Sequence, residues 1–349
     1  MKIAQVAPLF ESVPPKGYGG TERVVAHLTD ALVQAGHEVT LYASGDSRTL
    51  GKLVPSSKAA LRLDPGCPDW HVWHTIMLDR VFAAAAAYDV IHFHVDILQM
   101  PLARVCPRPY VTTLHGRLDL PDLPPLFEHF CEHPVVSISD AQRLPLPKAN
   151  WCATVHHGLP LDRYTFHRRP QDYFAFVGRV SPEKRLDRAI EIATACGTRL
   201  RVAAKVDPVD RIYFEREIRP LLENPLVEWI GEIDDAQKND CIGNARALLF
   251  PIDWPEPFGL VMIEAFACGT PVIAYDRGSV PEVVEHGVTG YIVHDQEEAL
   301  AAARRLDEID RSRCRSRFEQ RFTAATMAQR YLEVYARLGR SNKVLVAVA

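Results

Sequence analysis

No two of the eight cysteines in this chain are close enough to form a CxxC pair; Cys67, Cys106, Cys131, Cys152, Cys196, Cys241, Cys268 and Cys314 stand singly. That excludes zinc-ribbon and thioredoxin-type frameworks and leaves the cysteines as small buried hydrophobes of a reducing compartment. No apolar run approaches the roughly 20 residues of a membrane span, and the apolar stretch before Pro8 is too short for a signal-peptide core. A cytoplasmic protein is therefore expected, with attachment at a membrane surface left open. Basic charge is not in excess either. The formal net charge is -4, so the footprint that nucleic acid demands is missing, and no nucleic-acid partner is expected. What is present is a globular composition, 47% hydrophobic and 24% charged, over 349 residues. That length suits about two domains of ordinary size.

Strand-length apolar runs alternate with helical stripes. Residues 3–8 read as a short buried strand. Residues 21–35 read as a helix with Val24, Val25, Leu28 and Leu32 on one face, ended by Gly36. A strand is expected at 39–43, irregular chain over 46–72 (Pro55, Pro65, Gly66, Pro68), a helix at 73–87, and strands at 90–93, 110–114 and 135–138. Pro145, Pro147, Gly158, Pro160 and Pro170 then interrupt any long element, which marks a domain junction. The alternation resumes with strands at 173–177, 200–204, 227–230, 247–251 and 272–275. Helices fall at 184–196, 213–222, 235–245 and 260–268, and a long helix at 318–338. The expected architecture is α/β, two doubly wound parallel sheets in tandem, divided as 1–165 and 166–317. Ligands of such sheets bind beyond the carboxyl ends of the strands, so the loops there should carry the chemistry.

Five loops qualify. The first, Gly17-Tyr18-Gly19-Gly20-Thr21-Glu22, lets backbone approach an anion at a helix start, or is simply a turn. It is neither G-x-G-x-x-G, since Glu22 holds the last glycine position, nor a Walker loop. In the second, Arg179 and Lys184 bracket Pro182 at an expected helix start. The dipole disfavours cations there, so either a diphosphate or solvent must compensate them. The third runs from Asp253 through Glu256, Phe258, Gly259 and Leu260 to Glu264. Backbone N–H groups at Phe258, Gly259 and Leu260 can face a phosphate or sugar. Glu264 lies on a helix that reads as buried, so its carboxylate needs a partner, either a ribose diol or an arginine. The fourth places His115 after a buried strand, as a hydrogen-bond donor, an acid or base, or a structural histidine. The fifth is Arg277-Gly278-Ser279-Val280-Pro281-Glu282, where Glu282 also suits a helix start. His71, His74, His92 and His94 lack the carboxylates that would complete a metal shell, and no metal is expected.

Taken together, in order along nearly the whole chain, these motifs resemble glycosyltransferase family 4. Glu256 and Glu264 match its E-x7-E pair. Gly178-Arg179 with Glu183-Lys184 is similar to its G-R-x-x-x-E-K site, Gly278 to Glu282 to its G-G-x-P-E loop, and Gly287 to Gly290 to its G-x-T-G. The resemblance implies the GT-B fold, two Rossmann-like domains facing across a cleft, with a final helix of about 318–349 crossing back onto the first. It implies transfer of a sugar from a nucleotide sugar to a glycan, lipid or small-molecule hydroxyl, with retention and with no cofactor beyond the donor. Arg179, Lys184, Gly19, Gly20, Gly259 and Leu260 would hold the diphosphate. Glu256, Phe258 and Gly259 would meet the donor sugar, Glu264 the ribose, and Glu256 and His115 would be the catalytic pair.

Three departures bear on these expectations. His156-His157-Gly158-Leu159 stands where Pro-Asn-Gly-Val is usual, which leaves His157 without an assigned role. Ser279 replaces a glycine. Lys205, in Ala203-Ala204-Lys205-Val206-Asp207, stands where a glycine turn is common and would contact a phosphate or the base. The base (UDP, GDP or ADP), the acceptor and the oligomeric state stay open. A nucleotide-sugar epimerase or hydrolase, or a non-catalytic nucleotide-sugar-binding protein, are the alternatives.

Overall fold

The computed structural model describes residues 1–348 apart from Tyr18 and Leu63, so the Tyr18 position of the first glycine loop and Ala349 of the final helix lie outside the described residues. The chain divides into two compact units, Met1–Gly158 with Ala324–Ala349, and Leu159–Thr323.

The first unit holds seven strands: β1 (Lys2–Val6), β2 (Glu38–Ser44), β3 (Lys52–Ser57), β4 (Val90–Phe93), β5 (Tyr110–Thr113), β6 (Val135–Ser137) and β7 (Trp151–Thr154). They lie in the order β3-β2-β1-β4-β5-β6-β7, every pairing parallel. β1 and β4 are buried along most or all of their length, as expected of central parallel strands covered on both faces. The longer helices are α1 (Gly20–Gln34) and α2 (Trp70–Ala83). α1 turns its Val24, Val25, Leu28 and Leu32 stripe into the core, and Gly36 follows it at φ 88, where glycine ends a helix without strain.

The second unit repeats the plan with six strands: β8 (Tyr173–Arg179), β9 (Arg199–Lys205), β10 (Val227–Gly231), β11 (Ala247–Phe250), β12 (Val272–Tyr275) and β13 (Gly290–Val293). Their order is β10-β9-β8-β11-β12-β13, again all parallel. Its longer helices are α3 (Leu186–Ala195), α4 (Asp235–Gly243), α5 (Leu260–Cys268), α6 (Gln296–Arg304) and α7 (Arg311–Arg321). The last helix, α8 (Ala324–Val348), belongs to the first unit, where Tyr335 meets Gln5 and Tyr331 meets Thr113.

Several boundaries differ from the sequence expectation. β3 forms where prolines predict irregular chain, because an edge strand tolerates Pro55. β7 lies inside the expected junction and closes the other edge of the same sheet. The expected final helix is two helices, α7 and α8, broken at Phe322-Thr323, where Leu159 bridges to Thr323. The expected helix at 213–222 is a succession of short turns of different pitch from Arg211 to Glu223.

In each sheet the strand order reverses beside the first strand of its unit, between β1 and β4 and between β8 and β11. Those two reversals are where a doubly wound sheet opens a crevice for ligand.

Candidate active site

At the reversal point of the second sheet, β8 ends in Gly178 and Arg179. Pro182–Lys184 then makes a single 3-10 turn, and Arg185 adopts a left-handed φ of 53. The sequence predicts one helix from Lys184; instead α3 opens at Leu186, so both expected cations precede its first turn. The Arg185 side chain accounts for the break: it is held by Asp187 at 2.8 Å and Asp253 at 3.2 Å, which offsets the cost of its backbone conformation.

Arg179 is already surrounded by acid, with Glu183 at 2.7 Å, Asp210 at 3.4 Å and Asp207 at 3.8 Å. Lys205 reaches the same Asp207 at 3.0 Å, so the two cations share one carboxylate. Burial pushes the Asp210 carboxyl above its ordinary range, against the pull of Arg179. Lys184 ion-pairs with Glu256. The Trp254 indole N–H donates to the same Glu256 oxygen at 3.1 Å, and the Lys184 ammonium lies 5.0 Å above the Trp254 ring. The two loops are tied together, since the Asp253 N–H donates to the Glu183 carbonyl at 2.9 Å.

The Glu256 loop is clamped from behind by the loop after β12. Gly278 has φ 55, and a Cβ there would lie 2.4 Å from both the backbone N and O of Glu256. Only glycine permits that approach. Ser279 donates its N–H to the Glu256 carbonyl and its hydroxyl to the Phe258 carbonyl, both at 2.9 Å. A second glycine at position 279 would lose the latter bond. Gly259, at φ 79, caps α5 without any side-chain hydrogen bond, which leaves the Leu260 end of the helix open to an anion.

Glu264 lies on α5 and is 3% exposed. Its partner is a lysine rather than an arginine: Lys238 of α4 meets Oε1 at 2.5 Å, and the Tyr164 hydroxyl donates to the same oxygen at 3.3 Å. Neither residue carries a motif that would have drawn attention in the sequence.

In the first unit the glycine loop leads into α1. Gly19 is extended, and a Cβ on it would lie 2.8 Å from Pro15, so the loop is packed too tightly for a larger residue; Gly20 begins the helix. Burial pushes the Glu22 carboxyl up. His115, after β5, meets His94 at 2.8 Å between Nε2 and Nδ1, and its ring stacks on His157 with centroids 5.3 Å apart. Its Nδ1 is enclosed and makes no hydrogen bond among the described residues. That enclosure holds the imidazole down, to about 3. His92 and His94 are also held well below the ordinary range by burial. All three rings are therefore neutral near pH 7, and His115 is a hydrogen-bonding group there rather than a proton donor in its charged form. The alternation of His92 and His94 on one strand is visible in the sequence; their bonding to Gln5 and Tyr335 is not. Among the described residues no group of three or more His, Cys, Asp or Glu is placed to hold a metal ion.

The expected residues thus lie at strand ends or in the loops and helix starts that follow strands, except Glu264, which is inside α5. Arg179, Lys184, Glu256, Phe258 and Gly259 cluster at one reversal point, Lys205 is joined to them through Asp207, and Glu264 lies on α5 beyond them. Gly19, Gly20 and His115 belong to the other unit.

Residues 18–206 match the family model described as Glycosyltransferase Family 4, and residues 163–324 match that of Glycosyl transferases group 1. The chain is 27% identical to a glycogen synthase of Mycobacterium tuberculosis over 384 aligned positions, covering 91% of this chain and 92% of the relative. It superposes on AviGT4, a glycosyltransferase involved in avilamycin A biosynthesis, with a TM-score of 0.76 and 26% identity, over 97% of this chain and 98% of that one. HepE of Anabaena, solved in complex with UDP and glucose, superposes with a TM-score of 0.75 at 19% identity, over 97% and 100% of the two chains. With its two Rossmann-like sheets, its E-x7-E pair and a family model spanning more than half its length, this chain belongs to glycosyltransferase family 4 and is a glycosyltransferase.

Proposed function

We propose that this chain moves a sugar from a nucleoside diphosphate sugar to an acceptor hydroxyl, with retention at the anomeric carbon. The observation that carries the reading is the Lys184–Glu256 pair beside Arg179 and the open Gly259-Leu260 helix start, at the reversal point of the second sheet. The second unit would be the donor half and the first the acceptor half. Catalysis here consists of stabilising a leaving diphosphate and a developing positive charge on the sugar ring. Arg179, Lys184 and the amides at Gly259 and Leu260 supply the first; Glu256, together with Phe258 and Gly259 along the sugar, supplies the second. In the free protein the cations are held by Glu183, Asp207, Asp210 and Glu256. A diphosphate would take over Arg179 and Lys184 and leave Glu256 available to the sugar. Glu264 would accept hydrogen bonds from both ribose hydroxyls while staying paired with Lys238. Lys205 would reach a phosphate or the base. Gly19, Gly20 and His115 would approach the donor from the first unit.

No helix among the described residues is long and apolar enough to cross a membrane; the acceptor class, whether glycan, lipid or small molecule, is a matter for experiment. The test is a thermal-shift panel of UDP, GDP, ADP and their sugars on wild type and Glu264→Ala. UDP comes first because HepE was solved with it. One nucleotide should raise the melting temperature of wild type and not of the variant. A flat response to every nucleotide would remove the reading. Turnover of donor at full rate without any acceptor would replace it with hydrolysis or epimerisation.

A further inference from the structure

The C-terminal helix carries the far end of a continuous chain of buried hydrogen bonds that begins at His115. From Tyr335 on α8, contacts run to His92 Nδ1 at 2.8 Å and to the Gln5 amide nitrogen at 3.1 Å. Gln5 Oε1 meets His94 Nε2 at 2.7 Å, and His94 Nδ1 meets His115 Nε2 at 2.8 Å. At the other end, His92 Nε2 meets Thr113 Oγ1 at 2.7 Å, and Thr113 meets the Tyr331 hydroxyl at 2.9 Å. Gln5, His92 and His94 are at most 1% exposed, as are Tyr331 and Tyr335.

Hydrogen-bond chemistry sets the direction of this chain. The carbonyl oxygen of Gln5 only accepts, so His94 Nε2 carries a hydrogen and donates to it. A neutral imidazole has one hydrogen, so His94 Nδ1 is bare and accepts from His115 Nε2–H. On the other side the Gln5 amide N–H donates to the Tyr335 oxygen, and the Tyr335 O–H donates to His92 Nδ1. His92 Nε2–H then donates to Thr113. The one ring nitrogen left over is His115 Nδ1, a bare acceptor with no partner among the described residues.

We propose that Gln5, His92, His94 and Tyr335 are positioning residues for His115, holding its hydrogen on Nε2 so that Nδ1 is offered to the sugar substrate as an acceptor only. The hydroxyl that engages His115 must then be a hydrogen-bond donor, and a sugar lacking it leaves a buried acceptor unfilled, a discrimination that pairing at both ring nitrogens would not provide. Nδ1 is enclosed in the free protein, so engagement needs a local shift of the side chains around it, of which the stacked His157 ring is one. The proposal rests on the nucleotide-sugar reading above for its substrate, but its core, the state of His115, is observable without ligand.

Reversing the Gln5 amide would reverse every hydrogen in the chain and move that of His115 to Nδ1, so the tautomer is the decisive observable. The experiment is two-bond 1H–15N spectroscopy of histidine-labelled full-length protein, with His115 assigned from the spectrum of His115→Asn. Wild type should show one His115 tautomer, Nε2 protonated and Nδ1 bare, with a slowly exchanging Nε2–H. Tyr335→Phe keeps the ring and removes two links, those to Gln5 and to His92. Gln5→Met removes two and gives a second route should the first variant fold poorly. Both should average the His115 nitrogens and speed exchange of its Nε2–H by about fivefold or more, the effect of losing one buried hydrogen bond. A hydrogen on Nδ1 in wild type, or an unchanged tautomer and exchange rate in both variants, would overturn the proposal. A wild type that shows the expected tautomer but no melting shift with UDP, GDP or ADP would sink the nucleotide-sugar reading instead.

Discussion

At the residue scale, the Lys184–Glu256 pair separates what the fold needs from what the proposed reaction needs. Their side chains are 17% and 11% exposed, so the pair is largely removed from water. Removing one partner of such a pair strands a buried charge, which costs about 3–5 kcal/mol. Lys184→Met should therefore lower stability by a few kcal/mol and abolish transfer. Glu256→Gln keeps an oxygen for the Trp254 indole N–H and should fold with a smaller loss, while transfer falls by about 100-fold or more. Combining the two removes both charges and should recover most of the stability but none of the activity. Urea midpoints and donor turnover for the three proteins decide it; activity retained in Glu256→Gln would exclude that carboxylate from the chemistry. The buried histidines make a second prediction. His92 and His94 have folded pKa values well below 6.5, so the unfolded chain binds more protons below that pH. Their contribution to stability is complete above about pH 6.5 and declines as pH falls, by about 1.4 kcal/mol per histidine per pH unit once the unfolded chain is protonated. Denaturation midpoints followed from neutral to mildly acid pH should fall steeply, and His92→Asn should flatten the slope. Equal slopes in the two proteins would contradict the assignment.

At the scale of elements, the Glu256 loop is held in part by a close backbone approach at Gly278. Gly278→Ala would place a methyl group 2.4 Å from the Glu256 backbone at φ 55. The clash must move the Glu256 loop, and the left-handed backbone adds about 1 kcal/mol. Gly36→Ala has the same backbone penalty at φ 88 but open space around it. Stability should therefore fall in both variants, and transfer, by about tenfold or more, only in Gly278→Ala. Comparing melting temperature with turnover for the two separates strain from displacement. This clamp also marks where sequence reading succeeds and fails. The central strands, α1 and α5 were legible because apolar runs and helical stripes report burial directly. β3 was not, because Pro55 argues against a strand unless the strand is known to lie at an edge. The start of α3 was not, because Arg185 is bent by pairing with Asp253, 68 residues away in the chain. In the site, Glu256, Glu264, Arg179 and Lys184 were legible as a spaced set. Lys238 and Tyr164 were not, since a lysine on one helix and a tyrosine in a loop acquire meaning only when the fold brings them to Glu264. Gln5 reads as one polar interruption of a buried strand until the hydrogen bonds around it are drawn.

At the scale of the whole molecule, the chain leaves its first unit at Gly158 and returns to it at Ala324. The last helix is thus a distant part of the first core, and the consequence is measurable. Tyr331, Val334 and Tyr335 are each at most 1% exposed. At about 1.5–3 kcal/mol per large buried side chain, their removal forfeits several kcal/mol. Deleting residues 324–349 also strips Tyr335 from Gln5 and His92, and Tyr331 from Thr113, leaving buried polar groups unpaired at about 1–3 kcal/mol each. Together these losses rival the whole stability of an ordinary domain. Hydrogen exchange on the truncated chain should show β1, β4 and β5 losing protection while β8, β11 and β12 keep theirs. Uniform loss across both sheets would mean that the two units unfold as one. Full protection in β1, β4 and β5 would mean that α8 is an accessory to the first core and that the chain of hydrogen bonds from His115 does not depend on it.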